Sequence, residues 1–409
     1  MKFLTVDTLE DAREKLIQHA FPKLTEVGQV PLEWAAGRVL ATDIFATEAI
    51  PDFRRSTVDG YAVRSQDTQG AGESIPVFLD VVEEIAIGSP AMKTIMPGQC
   101  SYVPTGGMIP DGADAMVMIE YTELLDSTMV AIYEAASPGR GVVQIGEDAK
   151  QGELLLTKGT MLSPKEIGVM ASLGITEVTV YQPWRVTVIS TGDELCRPGE
   201  DKGKCQIYDV NRYTVGVQAK QAGMDIVRGV TLKDEADTLE QALRTAMEQS
   251  DLVVLSGGSS QGKKDMTADL IEKVSNPGVW THGIALKPGK PTIIGSDEES
   301  ETLFIGLPGH PVAAMMVFEL LILWLQRHLQ GRSQGMQVPA KLESNIPAAP
   351  GRATCQTVKL IADENGYIAR PIHGKSGLMS TLTQADGYLI LPVNQEGLKT
   401  GETVYVKLF

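Results

Sequence analysis

A chain of 409 residues allows two to four domains at roughly 100–200 residues each. Lys and Arg total 36 against 52 Asp and Glu, a formal charge of −16. That balance argues against nucleic acid or anionic lipid as the main partner, because both demand a broad cationic face. Apolar residues at 43% describe an ordinary globular chain, and 41 glycines beside 5% aromatics predict tight turns around aliphatic cores.

The first periodic segment is Leu9–Gln18, where Leu9, Ala12 and Leu16 recur at helical spacing. From Val30 to Pro138 short β-like runs follow, among them Tyr61–Val63, Ile75–Leu79, Cys100–Val103 and Ala115–Ile119, broken by Gly, Pro and Asp. Pro164–Ser172 reads as a helix and Ile175–Tyr181 as a strand. Between Arg185 and Leu329 strand and helix alternate. Val186–Ser190, Asp225–Val230, Leu252–Leu255, Thr292–Ile294 and Thr302–Ile305 are apolar strands; Asn211–Ala222, Glu235–Glu248 and Thr267–Val274 are helices. Strands that are continuously apolar are buried on both faces, which predicts a parallel sheet in a doubly wound α/β domain. The acidic run Ser296–Glu301 reads as a solvated hairpin tip. Val312–Leu325 is apolar but shorter than the ~18–20 residues of a membrane span, and it carries Glu319, so it is expected to be a buried core helix. After Gly331 short strands and prolines predict a small β domain. Cys100, Cys196, Cys205 and Cys355 form no C-x-x-C pair, which argues against a zinc site or a disulfide framework. The first fifteen residues show no secretory h-region, and the chain is expected to be cytoplasmic.

Ligands of an open parallel sheet bind beyond the carboxyl ends of its strands. The residues expected there are Ser190, Thr191, Gly192, Asp193 and Glu194, then Lys233-Asp234, then Ser256 to Asp265. Lys287-Pro288-Gly289-Lys290-Pro291 and Gly306-Leu307-Pro308-Gly309-His310-Pro311 complete the edge. Gly257 and Gly258 can turn backbone N–H groups toward a phosphate, and Lys287 and Lys290 can neutralise an anion. Glu194, Asp234 and Asp265 would repel that anion unless Mg²⁺ stood among them. Asp234 and Asp265 each precede a predicted helix, where Asp serves equally as an N-cap, and His310 before Pro311 can simply open the long helix.

Several motifs in order carry a family resemblance: Pro51-Asp52-Phe53, Ser56 to Val63 (STVDGYAV), Pro104-Thr105-Gly106, Gly146-Glu147-Asp148, Ser190–Leu195 (STGDEL), Ile207-Tyr208-Asp209 with Asn211, Ser256-Gly257-Gly258, KPGKP and GLPG. The chain resembles, nearly end to end, the molybdopterin molybdenumtransferase (MoeA-type) family, to which the E domain of gephyrin is related. The resemblance implies a multidomain α/β plus β architecture: a discontinuous N-terminal linker domain (1–50 and 139–182), a β-rich insert (51–138), a molybdopterin-binding α/β domain (183–330) and a C-terminal β-barrel (331–409). It implies a homodimer whose cleft combines the α/β domain of one subunit with the insert of the other, so that Asp59 and Thr105 act in trans, although Asp59-Gly60 alone would read as a hairpin turn. The implied reaction takes adenylylated molybdopterin and molybdate and releases AMP, with Mg²⁺ near Glu194, Asp234 and Asp265. Lys287, Lys290, Arg352 and Ser376 would supply donors to oxyanion or phosphate oxygens, beside Pro308, Gly309 and His310. A molybdopterin adenylyltransferase and molybdoenzyme-maturation proteins are the implied partners. The alternatives are a non-catalytic pterin-binding scaffold and a tungstate-inserting variant. The family's usual pattern is altered at Ser259, Gln261, Lys263 and Lys264, and His310 stands where Asn is usual.

Overall fold

The computed structural model describes residues 6–257, 266–364, 366–374 and 377–409. Near the N-terminus, helix α1 (Leu9–Gln18) starts at a capping box in which the Asp11 amide donates to Thr8 Oγ1 and the Thr8 amide donates back to Asp11, each at 3.0 Å. Leu9, Ala12 and Leu16 are buried, as their spacing predicts. Val27–Pro31 pairs antiparallel with Glu177–Tyr181, and Arg55–Ser56 with Val142–Val143. Beside these ladders helix α2 (Pro164–Ser172) opens at Ser163 with Glu166 completing its cap.

The β-like runs after Pro51 form one six-stranded sheet. Its strands are β1 (Gly60–Val63), β2 (Val77–Glu84), β3 (Gln99–Val103), β4 (Ala115–Met118), β5 (Thr122–Leu124) and β6 (Met129–Ile132), ordered β4-β1-β3-β2-β6-β5. A Cβ on Gly60 would lie 2.0 Å from the Val117 carbonyl oxygen, so only glycine lets β1 and β4 meet there. Asp59 therefore leads into β1 and is not the tip of a hairpin.

The second sheet has strands β7 (Arg185–Thr191), β8 (Asp225–Leu232), β9 (Leu252–Gly257), β10 (Pro277–His282), β12 (Ile293–Asp297) and β13 (Thr302–Leu307), with the two-residue strand β11 (Leu286–Lys287) between β10 and β12 in the chain. Its order is β8-β7-β9-β13-β12-β10. The first four are parallel, β12 pairs antiparallel with β13 and β10 pairs antiparallel with β12, so the sheet is mixed where a parallel one was expected. Helices α3 (Asn211–Gln221), α4 (Ala236–Gln249), α5 (Met266–Val274) and α6 (Pro311–Leu329) cover it. Val188, Val254 and Ile305 pack on one face with α3 and α6, and Val253, Leu255 and Phe304 on the other with α4 and α5. Burial on both faces explains why these strands read as unbroken apolar runs.

Helix α6 begins one residue before the apolar segment read from sequence and runs four residues beyond it. It is long and apolar enough to cross a membrane by length and composition, yet most of it is buried inside the protein. The acidic run forms the β12–β13 hairpin tip with Glu298 and Glu299 exposed, as expected, but its first two residues, Ser296 and Asp297, are buried. Asp297 accepts from the amides of Asn276 and Ser300, fastening the β12–β13 turn to the end of α5.

The C-terminal strands are β14 (Gln337–Leu342), β15 (Ala353–Asp363), β16 (Gly366–Pro371), β17 (Gly387–Leu391) and β18 (Thr403–Leu408). They pair in the order β15-β16-β14-β18-β17, and β17 returns to β15, which closes a barrel. Strand β11 adds to the barrel rather than to its own domain's sheet: Leu286 pairs with Ala353 and Lys287 with Thr354. The short helix α7 (Met379–Leu382) lies between β16 and β17. Ile305→Ala, at a fully buried position of β13, is expected to lower stability by about 2–5 kcal/mol, read as a fall in the denaturant midpoint; an unchanged midpoint would contradict the burial assigned to this strand.

Candidate active site

The carboxyl ends of β7, β8, β9 and β13 converge, and a buried polar net ties them together. Asp209 accepts from Ser190 Oγ at 3.0 Å, from Thr231 Oγ1 at 2.7 Å and from the Arg212 amide at 3.2 Å. Asn211, at the start of α3, donates through Nδ2 to Ser256 Oγ at 2.6 Å and to the Gly309 carbonyl at 2.9 Å, joining the end of β9 to the loop after β13. Its Oδ1 is buried and has no hydrogen-bond partner among the described residues. Thr191 Oγ1 donates to Asp234 Oδ1 at 2.6 Å, and the Asp234 amide donates to Asp193 Oδ1 at 3.3 Å. Asp234 thus fixes the loop after β7, and the N-cap of α4 is Glu235 instead. Gly192 lies under the Glu194 carboxylate, whose oxygens stand 2.9 Å from where a Cβ would be. Gly257 has φ +136°, and a Cβ there would lie 1.8 Å from the Thr191 carbonyl oxygen, so β7 and β9 approach only because it is glycine.

Ser190, Thr191 and Ser256 are almost fully buried, and each hydroxyl is engaged inside the protein. They build the crevice, where the motif reading has them binding substrate directly. Asp193 and Glu194 are exposed on its rim and Asp234 is half-buried. Three carboxylates thus stand on adjoining loops, a hard-oxygen set that suits Mg²⁺. Among the described residues no group of three is already arranged to hold a metal ion, and Asp265 lies outside them. Gly258 and Ser376, with Lys263 and Lys264, lie outside the described residues too.

A cavity of about 820 Å³ opens where the α/β domain meets the barrel. Lys287, Lys290, Pro308, Gly309, His310 and Arg352 all line it, as do Gln356, Thr357 and His373 from the barrel. None of the described lining residues is Asp or Glu. Hydrogen bonds behind the lining hold it: the Ala353 amide donates to the Ala285 carbonyl at 2.8 Å, and Thr292 Oγ1 donates to the Gly289 carbonyl at 2.6 Å across the KPGKP loop. Asp7 braces the approach, because its amide donates to Gly283 and its carbonyl accepts from Ala285. His310 is the N-cap residue of α6 with Pro311 in the first turn, so it opens the helix and lines the cavity at once.

Asp59 and Thr105 come together elsewhere: the Thr105 amide donates to Asp59 Oδ1 at 2.7 Å, and both residues are exposed. No described residue of the insert lines the cavity of the same chain.

Comparison with known proteins decides the family. Residues 7–174 match the MoeA N-terminal region (domain I and II), 187–328 a probable molybdopterin binding domain and 339–409 the MoeA C-terminal region (domain IV). The chain is 35% identical to a molybdopterin molybdenumtransferase of Haemophilus influenzae, with 98% of each chain covered. It is 32% identical to one of Bacillus subtilis, covering 95% of this chain and 91% of the relative. A crystal structure of a molybdopterin biosynthesis MoeA protein from Pyrococcus horikoshii superposes with a TM-score of 0.80 at 35% identity over 99% of each chain. The chain belongs to the molybdopterin molybdenumtransferase (MoeA) family.

In this MoeA-family chain the motif reading carries Asp209 and Asn211 without a role, and the structure makes them the residues that fasten the crevice. His373 gave no sequence signal, because it joins the cavity lining only once the barrel has folded. Asn211→Ala should cost about 1–3 kcal/mol of stability by leaving Ser256 and the Gly309 carbonyl without their donor. Chemical denaturation checks this, and an unchanged midpoint would show that the strand ends are held by other contacts.

Proposed function

We propose that this chain inserts molybdate into molybdopterin supplied in adenylylated form and releases AMP, a step of molybdenum cofactor biosynthesis. The observation that carries the reading is the cavity at the barrel junction. In a chain of net charge −16, its described lining holds Lys287, Lys290 and Arg352 and no carboxylate. Tetrahedral oxyanions need several converging donors, which the Arg352 fork and two lysines supply. The strand-end crevice receives the nucleotidyl phosphates and the pterin, and Gly309 borders both places, accepting from Asn211 and lining the cavity. The nucleotide and the oxyanion thus bind next to each other.

Asp193, Glu194 and Asp234 are the described residues that would hold Mg²⁺, with Asp265 as the fourth candidate of the same loop edge. When bound, the ion supplies positive charge against the phosphoanhydride oxygens. Thr191, donating to Asp234, aims that carboxylate. Lys287, Lys290 and Arg352 orient molybdate and offset its charge, and His310 and His373 add donors at the mouth. Two Mo–S bonds form as the two thiol protons leave with one molybdate oxygen as a single water, and a second water cuts the phosphoanhydride to give AMP and the pterin phosphate.

The Asp59–Thr105 pair serves the same reaction from the insert of a second copy. Its carboxylate is exposed, and no described insert residue reaches the cavity of its own chain. We place the homodimer in the cytoplasm, where a molybdopterin adenylyltransferase delivers the substrate and maturation proteins receive the product.

Two experiments test this. AMP release from the adenylylated pterin should require molybdate and fall at least a hundredfold in Lys290→Ala/Arg352→Ala. Pterin binding without molybdate-dependent release would favour a scaffold instead. Asp59→Ala and Glu194→Ala chains, each inactive alone, should regain activity when co-expressed, because each mixed dimer rebuilds one intact site. Absence of complementation would contradict action in trans.

A further inference from the structure

Helix α6 separates the oxyanion cavity from a second recess behind it. Its first turns line the cavity through Val312, Ala313 and Met316, and Glu319 follows in a π-helical turn over Phe318–Leu323. The extra residue in such a turn brings positions eight apart to within about 20° of one face, where a regular helix would hold them about 80° apart. Glu319 Oε1 thereby accepts from Arg327 Nη2 at 2.7 Å. The carbonyl of Leu320 is taken by Arg13 of α1, whose Nε and Nη2 donate to it at 3.1 and 3.0 Å. Two barrel groups reach the same carboxylate oxygen: Tyr388 OH donates at 3.3 Å, and Lys407 Nζ stands at 3.5 Å.

Among the described residues the barrel is also placed on the α/β domain by the two-residue pairing of β11 with β15 and by apolar packing, which includes Leu382, Cys355 and Tyr388 with the residues of α6. A ladder that short fixes position well and angle poorly, and apolar packing is not directional. The Glu319 contact supplies direction. Tyr388 pairs with Thr357 of β15, and β15 begins one residue after Arg352. Burial holds the Lys407 ammonium below and the Tyr388 phenol above their usual ranges, so both groups have left water for this contact.

We propose that Glu319 is a positioning residue for the oxyanion cavity. By holding Tyr388 and Lys407 it sets where Arg352 and His373 on the barrel stand relative to Lys287 and Lys290. The inference rests on the oxyanion reading of that cavity.

Glu319→Gln removes the charge that holds Lys407 and keeps the side chain's shape; Tyr388→Phe removes one hydroxyl. Molybdate titrated calorimetrically into full-length protein, with steady-state AMP release alongside, gives Kd, KM and kcat. Each variant is expected to raise the molybdate Kd and KM five- to tenfold, with kcat within twofold and pterin affinity unchanged. The double variant is expected to be no worse than Glu319→Gln, because both act through one contact. A lower melting temperature with unchanged molybdate Kd overturns the inference, as does a parallel loss of pterin affinity. If Glu319→Gln does not fold, Tyr388→Phe decides by the same readouts. Wild-type protein that binds no molybdate overturns the oxyanion reading together with the inference, so the two failures are told apart.

Discussion

Leu286 and Lys287 belong by sequence to the α/β domain and by hydrogen bonding to the barrel, where they extend the sheet beside Ala353 and Thr354. That graft constrains everything near the cavity. It places the first lysine of the KPGKP loop beside the strand that follows Arg352, so cations separated by about sixty residues of chain share one wall. Asp7, contributed by the N-terminal segment, braces the same loop through Gly283 and Ala285. Three parts of the chain must fold before these cations face one another.

Electrostatics makes the placement necessary. The proposed substrates, adenylylated pterin and molybdate, are both anionic, and the protein carries −16. At physiological salt the screening length is about 8 Å, so distant surface carboxylates matter little and the groups lining the cavity decide. A cavity whose described lining has cations and no carboxylate can hold an oxyanion within an acidic protein. The carboxylates are kept on the neighbouring rim, at Asp193, Glu194 and Asp234, where a divalent cation can reconcile them with phosphate.

Much of the α/β layer was legible because its physics is local. Unbroken apolar runs revealed strands buried on both faces, and the helices beginning at Leu9, Pro164 and Pro311 opened where expected. The antiparallel strand at Pro277–His282 was missed because its burial is partial and its partner, β12, comes later in the chain. Charge patterning misread Ser296–Asp297, since the Asp297 carboxylate is consumed by turn amides and goes inside. At the site, KPGKP and GLPG announced lining residues through their turn chemistry. The hydroxyls of Ser190, Thr191 and Ser256 carried no hint that they face inward, because that depends on Asp209, Asn211 and Asp234, which lie 19 to 45 residues away. His373 and Glu319 depend on barrel closure, which no local pattern encodes.

The central claim is that the junction of α/β domain and barrel is an oxyanion site. Crystals soaked with tungstate, which matches molybdate in shape and charge and scatters strongly, test it most directly. The account predicts an anomalous peak inside the junction cavity, within hydrogen-bond reach of Lys290 and Arg352. A peak confined to other cationic surfaces, with the cavity empty, would contradict it.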